Sequence, residues 1–178
     1  MKKALLVLVI GLLALGSAWV LGNRYAGTAS TLHEPGTAMS SVELGKGKVT
    51  VHHGTPKLGD RNLDVMIKPG VAWFMGMNTP TTFETTVALD FGGKKLAPGK
   101  YAIFARPDEQ QNWTLLVSSA IARPLKADTV VLEAPLKFAK DGAPQDLLKI
   151  TLERAGDGAS MVVAWGTYRL QGGFKAAS

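Results

Sequence analysis

Cysteine is absent from all 178 residues. That one gap removes disulfides, zinc–thiolate sites, iron–sulfur clusters and thiol nucleophiles together. Histidine is scarce: His33, His52 and His53 are the whole supply of the side chain that does most proton transfer near neutral pH. No Gly-x-Ser-x-Gly elbow surrounds Ser40, Ser41, Ser118, Ser119 or Ser160, so a serine hydrolase has no nucleophile motif here. Gly45-Lys46-Gly47-Lys48 lacks the Gly-Lys-Ser/Thr ending of a phosphate loop. Long-range repeats and low-complexity tracts are also missing. Charged residues are only 19% against 46% hydrophobic, which favours a packed core over disorder.

The formal charge of +6 includes Lys2 and Lys3 at the start of the chain, leaving +4 for the rest. Its densest basic runs, around Lys46–Lys48 and Lys94–Lys95, carry no interleaved aromatics, so a nucleic-acid groove is not expected. A solvated basic face is the simpler reading, with weak contact to anionic lipid or wall polymer as the alternative.

What is present begins with MKKALLVLVIGLLALGSAWVLG: two lysines, then an uncharged run from Ala4 to Gly22. This is the pattern of an export signal. As a helix the run would be roughly 28 Å long, close to the hydrocarbon thickness of a bilayer, so an uncleaved N-terminal membrane anchor also fits. Small residues at Ala14-Leu15-Gly16 and Gly16-Ser17-Ala18 suit a signal peptidase, while the lack of a following cysteine excludes a lipoprotein anchor. Residues 1–22 are therefore read as signal peptide or anchor, with membrane contact through 4–22 if uncleaved. Both readings place the remainder outside the cytoplasmic membrane, periplasmic or otherwise extracytoplasmic. Residues 23–40, rich in Ala, Ser, Thr and Gly without a period, read as a linker.

From about Ser41 to residue 175 the sequence alternates. Val49, Val51 and His53 oppose Lys48, Thr50 and His52, and Phe83, Thr85, Val87 and Leu89 oppose Glu84, Thr86 and Ala88; period two is the mark of a half-buried strand. Gly92-Gly93, Ala97-Pro98-Gly99 and Gly156-Asp157-Gly158 supply turns. The series predicts an all-β domain, an antiparallel sandwich or Greek-key barrel. SSAIARPLKAD is the one stretch that reads as helical, and Pro124 limits it to a turn or two.

Candidates for chemistry are few. Adjacent strand residues point to opposite faces, so His52 and His53 cannot chelate one metal. Met75 and Met77, two apart in an extended segment, would share a face that suits a soft copper ion, though methionine more often fills irregular cores. Asp64, Glu84 and Glu133 are carboxylates with no spacing that makes any two converge. Asn112-Trp113-Thr114 matches a glycosylation sequon, but a tryptophan that starts a strand argues for burial. Tyr101, Phe104, Trp73, Trp113 and Trp165 are read as core rings rather than a stacking platform.

Several stretches resemble an uncharacterised bacterial envelope family carrying the domain-of-unknown-function number 2911. GGKKLAPGKYAIFARPDEQQNWTLLVS at 92–118 is similar to its Gly-Lys-Lys-Leu-x-x-Gly-x-Tyr-x-Leu-Phe segment. GTPKLGDR at 54–61 keeps Pro56 and Arg61 of an Arg-Pro-x-x-x-Gly-Arg element. VAWFMGMNTPTT keeps Trp73, Gly76 and Asn78 of Trp-Arg-x-Gly-Ala-Asn-Glu, and VVAWGTYRL is like the final tryptophan strand. The departures are Phe74 for the family Arg, Thr79 for Glu, Thr55 for Arg, and His53 in place of a strand tyrosine. The resemblance implies an exported β domain spanning roughly 40–172, with no established activity.

The reading is an exported or membrane-tethered, non-catalytic binding module for a cell-envelope ligand, with no cofactor or metal expected. Its candidate contact residues are Arg61, Trp73, Asn78 and His53, although loss of the family charges at Phe74 and Thr79 favours core and turn for that stretch. The rivals are a hydrolase or isomerase acting on envelope carbohydrate or lipid through Asp64, His53 or Glu84, and a copper-handling protein using Met75 and Met77. An open, charged hollow lined by the large rings would count against the non-catalytic reading.

Overall fold

Alternation drives the architecture. In β1 (Thr37–Leu44) and β2 (Gly47–Gly54), every second side chain is buried, including Val42, Leu44, Val49, Val51 and His53. The computed structural model describes residues 36–140 and 143–178; the export segment, His33 and most of the expected linker lie outside them. β1 begins at Thr37, ahead of the expected boundary at Ser41, because the small residues Ala38 and Ser40 occupy buried positions that carry little hydrophobic signal.

The remaining elements are a single helical turn α1 (Leu63–Met66), β3 (Thr82–Thr85), β4 (Leu89–Phe91), β5 (Lys94–Leu96), β6 (Gly99–Pro107), β7 (Trp113–Ser118), β8 (Val130–Ala139), β9 (Gln145–Ala155), β10 (Gly158–Gly166) and β11 (Tyr168–Ala176). All pairings are antiparallel, in the order β1-β2-β3-β6-β7-β8-β11-β10-β9, with β4 and β5 attached to β11. The last four strands form a Greek key. β8 turns the corner: Val130–Leu136 pair with β7, and Lys137–Ala139 pair with β11. Between the two walls lies one core built from Phe83, Leu115, Ile150, Met161, Leu170 and their neighbours.

The sheet is nearly a closed barrel, and side chains rather than a regular ladder hold its seam. Along β9, the N–H groups of Leu148, Ile150 and Leu152 face the β1–β2 side. They donate to Pro56 O (3.0 Å), His53 Nε2 (3.1 Å) and Ser40 Oγ (2.9 Å) respectively. Arg154 Nη1 adds a bond to Glu43 O at 2.8 Å. Orphaned backbone donors in a buried seam would each cost about 1–3 kcal/mol, so these acceptors close the fold.

Three local details differ from the alternation pattern. The run through Thr82–Phe91 is two strands, because Thr85 Oγ1 bonds both the N–H and the C=O of Val87 and turns the chain there. Helix occurs at 63–66, where Asn62 Oδ1 accepts from Asp64 N–H as an N-cap; the 119–129 stretch contributes only a 3-10 turn at Ala127–Thr129. Both faces of β6 are buried, since Ala102, Phe104 and Leu116 form a second apolar cluster beneath Ala72, Phe74 and Leu125. The expected hairpin does form: Ala155 pairs with Gly158, and Gly156 takes φ +59, which a residue with a Cβ adopts only under strain. Among the described residues no helix is long and apolar enough to cross a membrane.

Candidate functional site

The stretch PGVAWFMGMNTPTTF is an excursion from the edge of β6. Trp73 exchanges backbone bonds with Ala105 (2.7 and 2.8 Å), the chain leaves the sheet for residues 74–80, and pairing resumes where Thr82 faces Ala102. Within the excursion Met75 holds φ +40 and Asn78 φ +62, a conformation unfavourable for side chains that carry a Cβ. Two contacts hold it. Thr81 Oγ1 donates to Met75 O at 2.7 Å. Gly54 lets the loop sit against β2, for a Cβ there would lie 2.7 Å from Met77 N.

This excursion walls one side of a pocket of about 460 Å3, within the range of small-molecule sites. Ala72, Trp73, Phe74, Gly76, Met77 and Asn78 line that side, so the stretch is more than core and turn. The opposite wall comes from Pro56, Arg61 and the end of α1 with Met66, Ile67 and Lys68; Val71, Arg123 and Trp165 complete it. Trp73 and Trp165 lie parallel at the floor, 6.0 Å between centroids and 6° between planes. Trp73 also meets Trp113 edge-on at 6.4 Å.

Among the described residues three cations surround this aromatic floor and no carboxylate lines it. Arg61 Nη1 donates to the carbonyl of Lys57, with Leu58 O at 3.5 Å. Arg123 Nη2 donates to Asn78 O at 2.6 Å, and its guanidinium lies 4.2 Å above the centre of the Phe74 ring. Where the resembled motif has arginine, Phe74 thus carries an arginine on its face. The Lys68 ammonium and the Asn78 side-chain amide have no hydrogen-bond partner among the described residues, and none of the three cations is in an ion pair there.

Of the residues singled out from sequence, Arg61, Trp73 and Asn78 come together in this pocket, and His53 does not. His53 is buried at 2% exposure in the seam, with Nδ1 donating 2.9 Å to Gly54 O while Nε2 accepts from Ile150 N–H. Burial holds its pKa below the ordinary histidine value, with the bond to Gly54 opposing that shift. It is a neutral structural group. Lys68, Arg123 and Met66 were missed: only loop crossings bring them to the motif residues.

The large rings divide in two. Phe104, Trp113 and Trp165 are buried, as expected, and Tyr101 is half-buried against the core, which also holds Phe83, Phe91, Tyr168 and Phe174. Trp113 Nε1 is buried without an acceptor among the described residues, its ring enclosed by Trp73, Phe138 and Tyr168. Trp73 is half-buried and lines a charged hollow with the buried Trp165 stacked against it, and rings lining such a hollow would weigh against a non-catalytic reading. Among the described residues every charge lining it has the same sign, however, and neither a carboxylate nor a histidine is there to work as acid or base.

The carboxylates named for a hydrolase lie elsewhere. Asp64 accepts from Lys140 Nζ at 2.6 Å and from the Tyr168 hydroxyl. Those two bonds, the Lys140 one foremost, hold its pKa below the usual carboxylate value. Burial and then Asp64 push the Tyr168 phenol upward, so one member is a weak base and the other a weak acid. Glu84 is exposed on β3 between Thr50 and Lys100, and Glu133 pairs with Arg106 on the surface. The thioethers part as well: Met75 is fully buried in the core while Met77 lines the pocket, because positive φ at Met75 breaks the strand period. Among the described residues no group of three or more His, Asp or Glu gathers as a metal site.

No curated protein and no solved structure matches the chain. A family model described as "Protein of unknown function (DUF2911)" matches residues 35–172. With the β domain and its Arg61, Trp73 and Asn78 landmarks inside that span, the chain belongs to the DUF2911 family.

Proposed function

We propose that the protein is an exported or membrane-tethered, non-catalytic binding module that holds a cell-envelope ligand in the pocket framed by Arg61, Trp73 and Asn78. The observation that carries this reading is the set of three cations that, among the described residues, have no ion pair and no carboxylate beside them around a tryptophan floor. Arg61, Lys68 and Arg123 are solvent-exposed, so each keeps N–H donors that an arriving anion can take as charge-assisted hydrogen bonds. A ligand with a negative group and an apolar or planar body satisfies both halves of the site. The export part of the proposal rests on Lys2-Lys3 and the uncharged run from Ala4 to Gly22.

The test is native mass spectrometry of the full chain purified from its own envelope, beside Arg61→Ala and Asn78→Gly variants. Glycine at position 78 keeps the positive φ, so the second variant removes the amide without straining the loop. An anionic compound retained by the wild type and depleted in both variants supports the proposal. Equal retention in all three, with circular dichroism unchanged, overturns it.

A further inference from the structure

The rim of the pocket is as unusual as its interior. Six large apolar side chains are exposed among the described residues: Val65 (66%), Met66 (46%), Val71 (57%), Ile121 (45%), Val131 and Leu147. Three of them lie in the short strip 65–71 that also carries Lys68. A fourth, Ile121, is two residues from Arg123. Met66 and Val71 line the pocket directly beside the cations. The strip is held in place: the N–H of Val65 and of Met66 return to Asn62 O, Val71 N–H to Lys68 O at 3.2 Å, and Gly70 N–H to Pro107 O at 2.8 Å. Exposed aliphatic and thioether side chains set among cations, on an otherwise ordinary surface, are what a protein presents to the interface of a negatively charged bilayer.

The chain's entry point agrees. Gly36, the first described residue, lies against the pocket wall: a methyl group added there would come 3.2 Å from Met77 Cε. Its carbonyl accepts from Thr55 N–H at 2.7 Å, one residue before Pro56 of the opposite wall. The described domain therefore begins on the pocket side.

We infer that the pocket mouth is a membrane-docking surface for anionic phospholipid. Val65, Met66 and Val71 enter the interface, while Arg61, Lys68 and Arg123 hold a headgroup phosphate at the mouth. This rests on the binding reading above and names its ligand. A neutral bilayer supplies the apolar half of the contact alone, and a small inorganic anion supplies only the other half, so each is a weaker occupant.

The absence of cysteine makes the test direct. Val71→Cys, and Val131→Cys as a control, are labelled in the full chain with an environment-sensitive fluorophore. Each is reconstituted into phosphatidylcholine vesicles with or without phosphatidylglycerol. The apolar run 4–22 can insert by itself, so the readout is the label's emission and its protection from aqueous iodide, rather than attachment. The expected result is a blue shift and protection at 71 only with phosphatidylglycerol, and none at 131. Lys68→Ala in the labelled background lowers the docked-to-undocked ratio about fivefold, as expected for one cation at a charged surface. A label at 71 that iodide reaches equally in both vesicles, or that is protected equally in both, overturns the inference.

Short-chain phosphatidylglycerol, used below its micelle concentration, separates this inference from the binding reading. If it shifts the label at 71 while vesicles do not, docking is overturned and pocket binding stands. If vesicles protect position 71 but Arg61→Ala and Asn78→Gly leave the soluble-lipid response unchanged, docking is supported and the pocket reading fails.

Discussion

At the seam between β1–β2 and β9, each polar side chain meets a backbone partner: His53 bonds both Gly54 and Ile150, and Ser40 accepts from Leu152. At the pocket mouth, among the described residues, Lys68 has no such partner, Arg61 reaches only carbonyls of its own loop, and Arg123 steadies Asn78 from outside. The seam is polar and buried. The mouth is polar and open. Polar residues whose bonding capacity is met inside the protein hold the fold, and those left with capacity are the ones available to something else. The two regions make opposite predictions for equally polar substitutions.

The largest effect is expected from His53→Leu, which leaves two buried backbone groups unpaired at about 1–3 kcal/mol each. Urea denaturation would show a loss of roughly 2–6 kcal/mol on that basis, while the pocket response to short-chain phosphatidylglycerol persists. Ser40→Ala strands only the Leu152 N–H, so about 1–3 kcal/mol is expected in the same measurement. A loss of lipid response without loss of stability in either variant would erase the distinction between the regions.

Acidification probes the seam more gently. His53 has its pKa lowered from 6.5 in the fold, so below about pH 6.5 the unfolded chain takes up a proton that the folded chain refuses. The stability it contributes is complete above that pH and is lost as pH falls through the lowered folded value. The urea midpoint should therefore decline in this window, and His53→Gln, which does not titrate, should flatten it. Asp64 and Asp108, both lowered from 3.8, act in the same direction only at more acid pH. The smallest stability change belongs to Lys68→Ala, within about 0.5 kcal/mol for an exposed residue, although it is among the variants expected to weaken docking most clearly.

Much of the fold was legible in the sequence, because strand period and burial coincide in β2, β8 and β9. The break at Thr86–Ala88 was hidden, since Thr85 turns the chain by a side-chain bond that leaves the apolar alternation intact. The turn α1 is too short to show a helical period. In the site, Arg61, Trp73 and Asn78 were found through a motif, whereas Arg123 and Lys68 were not. Arg123 reaches Asn78 across 45 positions of sequence, a meeting created by the packing of two loops over β6 and β7. His53 was misplaced for the converse reason: a strand histidine looks the same in sequence whether its ring faces a ligand or another strand's amide.

The excursion at 74–80 has a further consequence. It is tied at both feet to β6, through Trp73 opposite Ala105 and Thr82 opposite Ala102. Insertions, deletions or exchanges between those feet would alter what the pocket grips without shifting the register of any strand. Such a segment is a natural place for relatives to diverge in ligand choice on a shared scaffold, and a practical one for grafting a new specificity onto the barrel.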